Sequence, residues 1–378
     1  MTPFHCHLPD ALLADLRARL RNTRWPDDPP GEQAGTGTDG PWLRELVRYW
    51  ADGFDWRAQE ARLNAFPQAT IEIGDQQVHF IHQPGRGRRV VPLLLLHGWP
   101  GSVWEFHRLI PLLADPAAHG LDDAIAFTVV APSLPGFVFS HRPGQRRIDR
   151  REAADLFRTL MVDVLGYRRF ALQGGDLGAH IGPVLAHRHA RHVQALHLNF
   201  LGFLRNLRRP QQPSAEEAAY FQRLDTWLQH EAGYQWIQGT KPQTLAYALT
   251  DSPAGLAAWM AEKFWSWTDH GGDVETALPR DDQLAMITLY WATAAINSSF
   301  WLYWTARRGD LWGPEPTRIE VPTAYLDFPK EIMRPPRSIA EQVFDIRRWT
   351  VAPGGGHFAA LEQPRLLAED LRSFVAST

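Results

Sequence analysis

The stretch Gly174-Gly175-Asp176-Leu177-Gly178 constrains this chain more than any other. It has the glycine–x–nucleophile–x–glycine form of a sharp turn from a strand into a helix, which holds its central side chain exposed on strained backbone. Glycines flank such a turn because the backbones come too close for a Cβ. An aspartate stands where a serine usually does. One reading is purely structural, since Asp is a favoured helix N-cap. The other is chemical: a carboxylate held there can displace at carbon and form an alkyl ester that must then be hydrolysed. That route suits a strained epoxide or a carbon–halogen bond better than an ordinary ester or amide.

The pattern around this turn is α/β. The spacing predicts helices over Leu12–Leu20, Trp42–Tyr49 and Trp56–Leu63, with a Pro/Gly/Asp-rich loop over Pro26–Gly40. Ala69–Ile73 and Gln77–His82 alternate around Gly74-Asp75 and read as a hairpin. Val90–His97 is a continuous apolar run of the kind buried on both faces of a parallel sheet. Further strands are expected at Phe127–Ala131, Arg169–Gln173, Val193–Asn199, Thr323–Phe328 and Arg348–Ala352, with a helix over Asp149–Leu165 and another just after Asp176. Strands separated by helices imply a mostly parallel sheet covered on both faces.

Leu201 to about Trp312 breaks the alternation and reads as helical. It holds nine of the sixteen tryptophans, which makes it an aromatic cap inserted between strands, over the carboxyl edge where open α/β sheets bind ligands. The chain then divides into an N-terminal arm with the first strands (1–90), the first part of an α/β core (91–200), a helical cap (201–312) and the last part of the core (313–378).

Composition narrows the partners. A net charge of −3 over 378 residues, with no basic block or acidic tail, argues against nucleic acid. The lone Cys6 excludes an internal disulfide framework and a cysteine-built zinc site. His187, His189, His192 and His197 crowd together without the i,i+4 acidic pattern of a metal site. No metal and no organic cofactor are expected. The N-terminus lacks a signal-peptide core, and no apolar run approaches the roughly 20 residues of a membrane span. No membrane association and a cytoplasmic location are therefore the expectation.

Four further features complete a reaction centre around Asp176. His357, in Gly354-Gly355-Gly356-His357-Phe358, follows the last expected strand and can deprotonate a water aimed at the ester. A carboxylate must orient that imidazole. Glu331, after the strand Thr323–Phe328, is the first choice, Asp327 the second and Asp345 the third. The turn His97-Gly98-Trp99-Pro100-Gly101 can aim the Trp99 N–H, with that of Leu177, at a developing oxyanion. Tyr234 and Tyr303, both in the cap, carry phenols that are neutral near pH 7 and able to donate to a leaving alkoxide. Packing alone would also use such tyrosines.

Taken together these segments resemble the α/β-hydrolase-fold epoxide hydrolases of the microsomal and juvenile-hormone type. The likeness spans Leu20–Asp27, Trp50–Trp56, His97–Ser102, Ser133–Phe137, Thr240–Pro242 and Asp251–Trp259. It implies Asp176 as nucleophile, His357 as base, Glu331 as acid, and Tyr234 and Tyr303 as the groups that activate the epoxide. The substrate it implies is a small apolar epoxide, with water as the second reactant and a homodimer left open. By this likeness, a counterpart of the membrane anchor of the microsomal form is not expected here. Val138 replaces a usual glycine and is expected to alter the pocket floor, and Leu177 replaces a common tryptophan but keeps its N–H. A dehalogenase using the same aspartate, or a ligand-binding relative without catalysis, are the alternatives; diol against halide release separates the first.

Overall fold

The computed structural model describes residues 1–28, 35–122, 124–309 and 317–378. Part of the Pro26–Gly40 loop and the far end of the expected cap, Trp312 included, lie outside the described residues. Among the described residues nine strands form one sheet: β1 (Thr2–Pro3), β2 (Gln68–Ile73), β3 (Gln76–Gln83), β4 (Arg89–Leu96), β5 (Ile125–Pro132), β6 (Phe170–Gly174), β7 (Val193–Leu198), β8 (Ile319–Asp327) and β9 (Phe344–Val351). Their spatial order is β1-β2-β3-β5-β4-β6-β7-β8-β9. The pairs from β5 through β9 are parallel, and β1, β2 and β3 add antiparallel strands at one edge.

Local chemistry accounts for these elements. β2 and β3 turn at Gly74-Asp75, where Gly74 takes the positive φ that such a tight turn favours. Leu93, Leu94, Leu95 and Leu96 on β4 are fully buried, as a central parallel strand covered on both faces requires. The helix expected over Asp149–Leu165 opens on an Asp149/Glu152 capping box, runs over Arg150–Arg158 and closes in a π-helical turn, Thr159–Val164. β8 and β9 begin earlier than the apolar runs foretell. Pro322 within β8 reads as a breaker, and the ladder accommodates it with a register shift between Ile319 and Pro322. β1 is two residues long and has no period to read.

The N-terminal helices Asp10–Arg21, Gly40–Asp52 and Trp56–Asn64 clamp the cap. Leu13, Leu16 and Leu20 are buried at helical spacing, each contributing about 1.5–3 kcal/mol of burial. Trp50 Nε1 donates to Thr288 Oγ1 at 3.0 Å, and Arg19 reaches Asp251 at 3.0 Å. The cap itself is helical, from Gly202 to Arg308, and sits between β7 and β8. No helix among the described residues is long and apolar enough to cross a membrane.

β4 lies between β5 and β6 although it precedes both in sequence, so the chain order reverses there. The loops after β4 and β6 open at this switch point, and a crevice at the carboxyl edge follows. Trp99, Asp176, Asn199, Glu331 and His357 all sit just past the carboxyl ends of β4, β6, β7, β8 and β9.

Candidate active site

Asp176 is the first residue of the helix Asp176–Arg188 and has φ of +42°, a left-handed conformation that strains a residue with a Cβ by roughly 1–3 kcal/mol. Two glycines make the turn possible. A Cβ on Gly178 would lie 2.1 Å from the Leu96 carbonyl oxygen, and one on Gly98 would lie 2.1 Å from Asp176 Oδ1. Without that Cβ, the Trp99 N–H reaches Asp176 Oδ1 at 2.7 Å. Leu177 follows in the first helical turn, where N–H groups have no intrahelical acceptor. The positive end of this helix also favours the anion.

His97 pins the Gly98 turn. The Leu134 N–H donates to its Nε2 (3.0 Å), which leaves the ring proton on Nδ1, facing the Gly98 carbonyl at 3.1 Å. Burial holds this imidazole down at about 4, so it is neutral and its hydrogen bonds keep their direction near pH 7.

His357 lies between two carboxylates. Its Nδ1 is 2.7 Å from Glu331 Oε1, and its Nε2 is 3.4 Å from Asp176 Oδ2. β8 and β9 are neighbours, and their loops are joined by a hydrogen bond from the Lys330 N–H to Gly355 O (3.1 Å), which brings Glu331 to the imidazole. The Ile332 N–H donates to Glu331 Oε1 as well, at 2.7 Å. Burial alone would discharge His357, but Glu331 and Asp176 outweigh it and hold the imidazole well above its ordinary value. Burial likewise works against the charge on Asp176, and His357 and the Trp99 N–H overcome it, so the carboxyl sits below its ordinary value. The resting pair is imidazolium and carboxylate.

The other two candidate acids are engaged elsewhere. Asp327 forms a two-point pair with Arg334 at 2.6 and 2.8 Å. Asp345 pairs with Arg347 at 2.8 Å.

The cap delivers both tyrosines to this point. Tyr234 lies on the helix Gly233–Thr240 and Tyr303 on Trp301–Arg308. The Tyr234 ring stacks on Trp99 at 5.4 Å and 13°, and the Tyr303 ring meets Trp99 edge-on at 6.2 Å. Both are buried. Burial first, and the Asp176 charge second, raise both phenols above their ordinary value, so they stay protonated donors. They line a cavity of about 20 Å³ with Asp176, Leu177, Phe200 and Met333. Val138 is not among the residues that line this cavity or the second one at Asp176. It has φ of +41°, which is the physical reason a glycine suits that position.

The crowded histidines separate. His197 pairs with Asp370 at 3.1 Å, His189 with Asp155 at 2.6 Å, and His192 faces the Arg168 carbonyl at 2.8 Å. Some neighbours of the centre escaped the sequence. Trp267 lies edge-on to His357 at 4.9 Å, and its carbonyl accepts the His357 N–H at 2.8 Å. Glu105, Gln173 and Asn199 line the second cavity at Asp176. Glu105 alone had a signal available, a carboxylate four residues beyond the Gly101 turn.

A nucleophile-type elbow, a facing His–carboxylate pair and an inserted helical cap on a mostly parallel sheet define an α/β-hydrolase. Family models agree: "Epoxide hydrolase N terminus" matches residues 1–106 and "alpha/beta hydrolase fold" matches residues 91–233. The chain is 42% identical to a Stigmatella aurantiaca protein named for epoxide hydrolase activity, over 98% of this chain and 84% of the relative. It is 36% identical to epoxide hydrolase 1 of Sus scrofa, over 99% of this chain and 88% of that one. The crystal structure of the Bombyx mori juvenile hormone epoxide hydrolase superposes with a TM-score of 0.88 at 31% identity, covering 100% of this chain and 94% of that one. The Aspergillus niger epoxide hydrolase superposes with a TM-score of 0.86 at 32% identity, covering 100% and 96%. The chain belongs to the epoxide hydrolases of the α/β-hydrolase fold, of the microsomal and juvenile-hormone type.

Proposed function

We propose that this epoxide hydrolase converts small apolar epoxides to vicinal diols through an ester on Asp176. The observation that carries the reading is the setting of one carboxylate. Asp176 has one oxygen on the Trp99 N–H at 2.7 Å and the other 3.4 Å from His357, with Tyr234 and Tyr303 lining the cavity it faces.

In the first step the Tyr234 and Tyr303 hydroxyls hold the epoxide oxygen. Asp176 attacks one ring carbon, the carbon–oxygen bond breaks, and a phenol proton stabilises the departing alkoxide. General acid help of this kind contributes on the order of 10²–10⁴. The negative charge on Asp176 is consumed as the ester forms. That removes one of the two anions that keep His357 charged, so its pKa falls and the ring can shed its proton, which ends on the new alkoxide as the first hydroxyl of the diol. In the second step neutral His357, oriented by Glu331, takes a proton from water. The resulting hydroxyl adds to the ester carbon, and the Trp99 and Leu177 N–H groups receive the oxyanion. Collapse breaks the bond between the ester carbon and the alkyl oxygen; that oxygen takes the hydroxyl proton left on the Asp176 carboxyl, which releases the diol and restores the carboxylate beside a protonated His357. Each step thus sets the charge that the other requires.

The test is a single turnover in heavy-oxygen water with enzyme in excess. The diol should leave without the label, and mass spectrometry should find heavy oxygen on the peptide that carries Asp176. Label in the first-turnover diol, with none on the protein, would sink the ester route.

A further inference from the structure

Two separate cavities meet at Asp176. One is the cap-side space under Tyr234 and Tyr303. The other, also about 20 Å³, lies behind the elbow and is lined by Asp176, His357, Glu105, Gln173 and Asn199 among others. Among the described residues, Asp176 alone lines both. A space of this size holds about one water, provided polar partners surround it. The partners are here. Gln173 is buried, its Nε2 donates to Asn199 Oδ1 at 2.7 Å, and its Oε1 has no hydrogen-bond partner. A buried acceptor left in that state is costly unless a water meets it.

Glu105 is held in this chamber by its own turn. A Cβ on Gly101 would lie 1.3 Å from Glu105 Oε1, so the carboxyl fills space that only a glycine leaves free. The Tyr290 hydroxyl anchors that turn by donating to the Gly101 carbonyl at 2.7 Å. Glu105 is half-buried and lines the chamber.

We propose that the chamber behind the elbow holds the water that hydrolyses the Asp176 ester, and that Glu105 and Gln173 are positioning residues for it. The inference rests on the ester reading above and adds which side of the ester the water comes from. The epoxide carbon occupies the cap side, so water from the opposite side reaches the ester carbon without crossing the substrate. One water O–H bond breaks toward His357 Nε2, the other hydrogen is held by Glu105 or Gln173, and the water oxygen bonds to the Asp176 Cγ. Burial pushes the Glu105 carboxyl up to about 8, so near neutral pH it is uncharged. An uncharged carboxyl both donates and accepts hydrogen bonds, and it adds no anion that would trap His357 as imidazolium.

The experiment uses the full chain with styrene oxide as the probe. Stopped-flow tryptophan fluorescence follows ring opening, and quenched intact-protein mass follows the ester. Glu105→Leu should open the ring within about threefold of the parent rate and hydrolyse the ester on the order of 10²-fold more slowly, so that the ester persists. Glu105→Gln, which keeps a carbonyl acceptor, should recover at least about tenfold of that loss. Ester hydrolysis at the parent rate in Glu105→Leu overturns the inference, and so does equal slowing of both steps in both variants, which would mark a packing role. If Glu105→Leu does not fold, Gln173→Met serves in its place with the same expected split. His357→Gln is run beside them. If it stores ester while the Glu105 variants do not, the chamber fails and the ester route stands; if it makes diol without any ester, the ester route itself fails.

Discussion

Among the described residues, two of the buried histidine–carboxylate pairs stand in different settings: the histidine of one lines a cavity at Asp176, and the other pair is closed within the core. His357 and Glu331 meet at 2.7 Å above the carboxyl edge of the sheet. His197 and Asp370 meet at 3.1 Å inside the core. Asp370 is also held by Arg348 and Thr350, each at 2.7 Å, so its charge is fully answered within the fold. Burial opposes that charge, but His197, Arg348 and Thr350 prevail and keep Asp370 far below its ordinary value. His357 has a second carboxylate, Asp176, on its other nitrogen, and both line the chamber behind the elbow. The side-chain chemistry is the same in the two places. What differs, on the proposed route, is that one partner of His357 is consumed as the ester forms.

Five substitutions press on that difference. Asp176→Ala should lower diol formation by a factor on the order of 10⁴ or more, with the melting temperature close to that of the parent. Turnover retained in this variant would return Asp176 to a helix cap. His357→Gln should leave ring opening in place and slow release on the order of 10²–10⁴-fold, with substrate-bound protein visible by mass. His197→Gln should do the reverse. It strips one of the hydrogen-bond partners from the buried Asp370 and leaves Arg348 and Thr350 in place, so denaturant unfolding should report a loss of about 1.5–3 kcal/mol while kcat per folded molecule barely moves. If the two histidine variants behave alike, the contrast drawn here is wrong. Tyr234→Phe and Tyr303→Phe should each slow ring opening about 10–100-fold without storing ester, and the double change should slow it far more. Indifference of all three would make these phenols packing groups.

The smallest effect concerns acid. Asp370 is depressed in the fold, so its contribution to stability is complete above the unfolded carboxyl value near pH 4 and is lost as pH falls further. Asp370→Asn should therefore be less stable at pH 7 but show a flatter decline below about pH 4 in denaturant titrations. A decline as steep as the parent's would assign acid sensitivity to other carboxylates.

The elbow, the His357 loop and the two cap tyrosines were legible because each stands in a short run of distinctive residues. Glu331 was separable from Asp327 only through family likeness; the structure adds that Arg334 occupies Asp327. β1 and the starts of β8 and β9 were invisible, since two residues have no period and Pro322 imitates a break. Glu105 and Gln173 carried no mark of a shared chamber, because their juxtaposition depends on how the Gly101 turn folds against β6.

Sequence by itself determined the alternation of strands and helices, the strained elbow with a carboxylate at its centre, and which side chains are candidates for the proposed attack, activation and proton donation. Those follow from local rules: side-chain period, glycine's missing Cβ and the chemistry of single side chains. The tertiary structure alone decided the rest. Asp176 and His357 come within 3.4 Å only because β6 and β9 belong to one sheet, and their charges depend on each other because both are buried together. Protonation in a low-dielectric site is a property of neighbours, and neighbours distant in sequence exist only once the chain has folded.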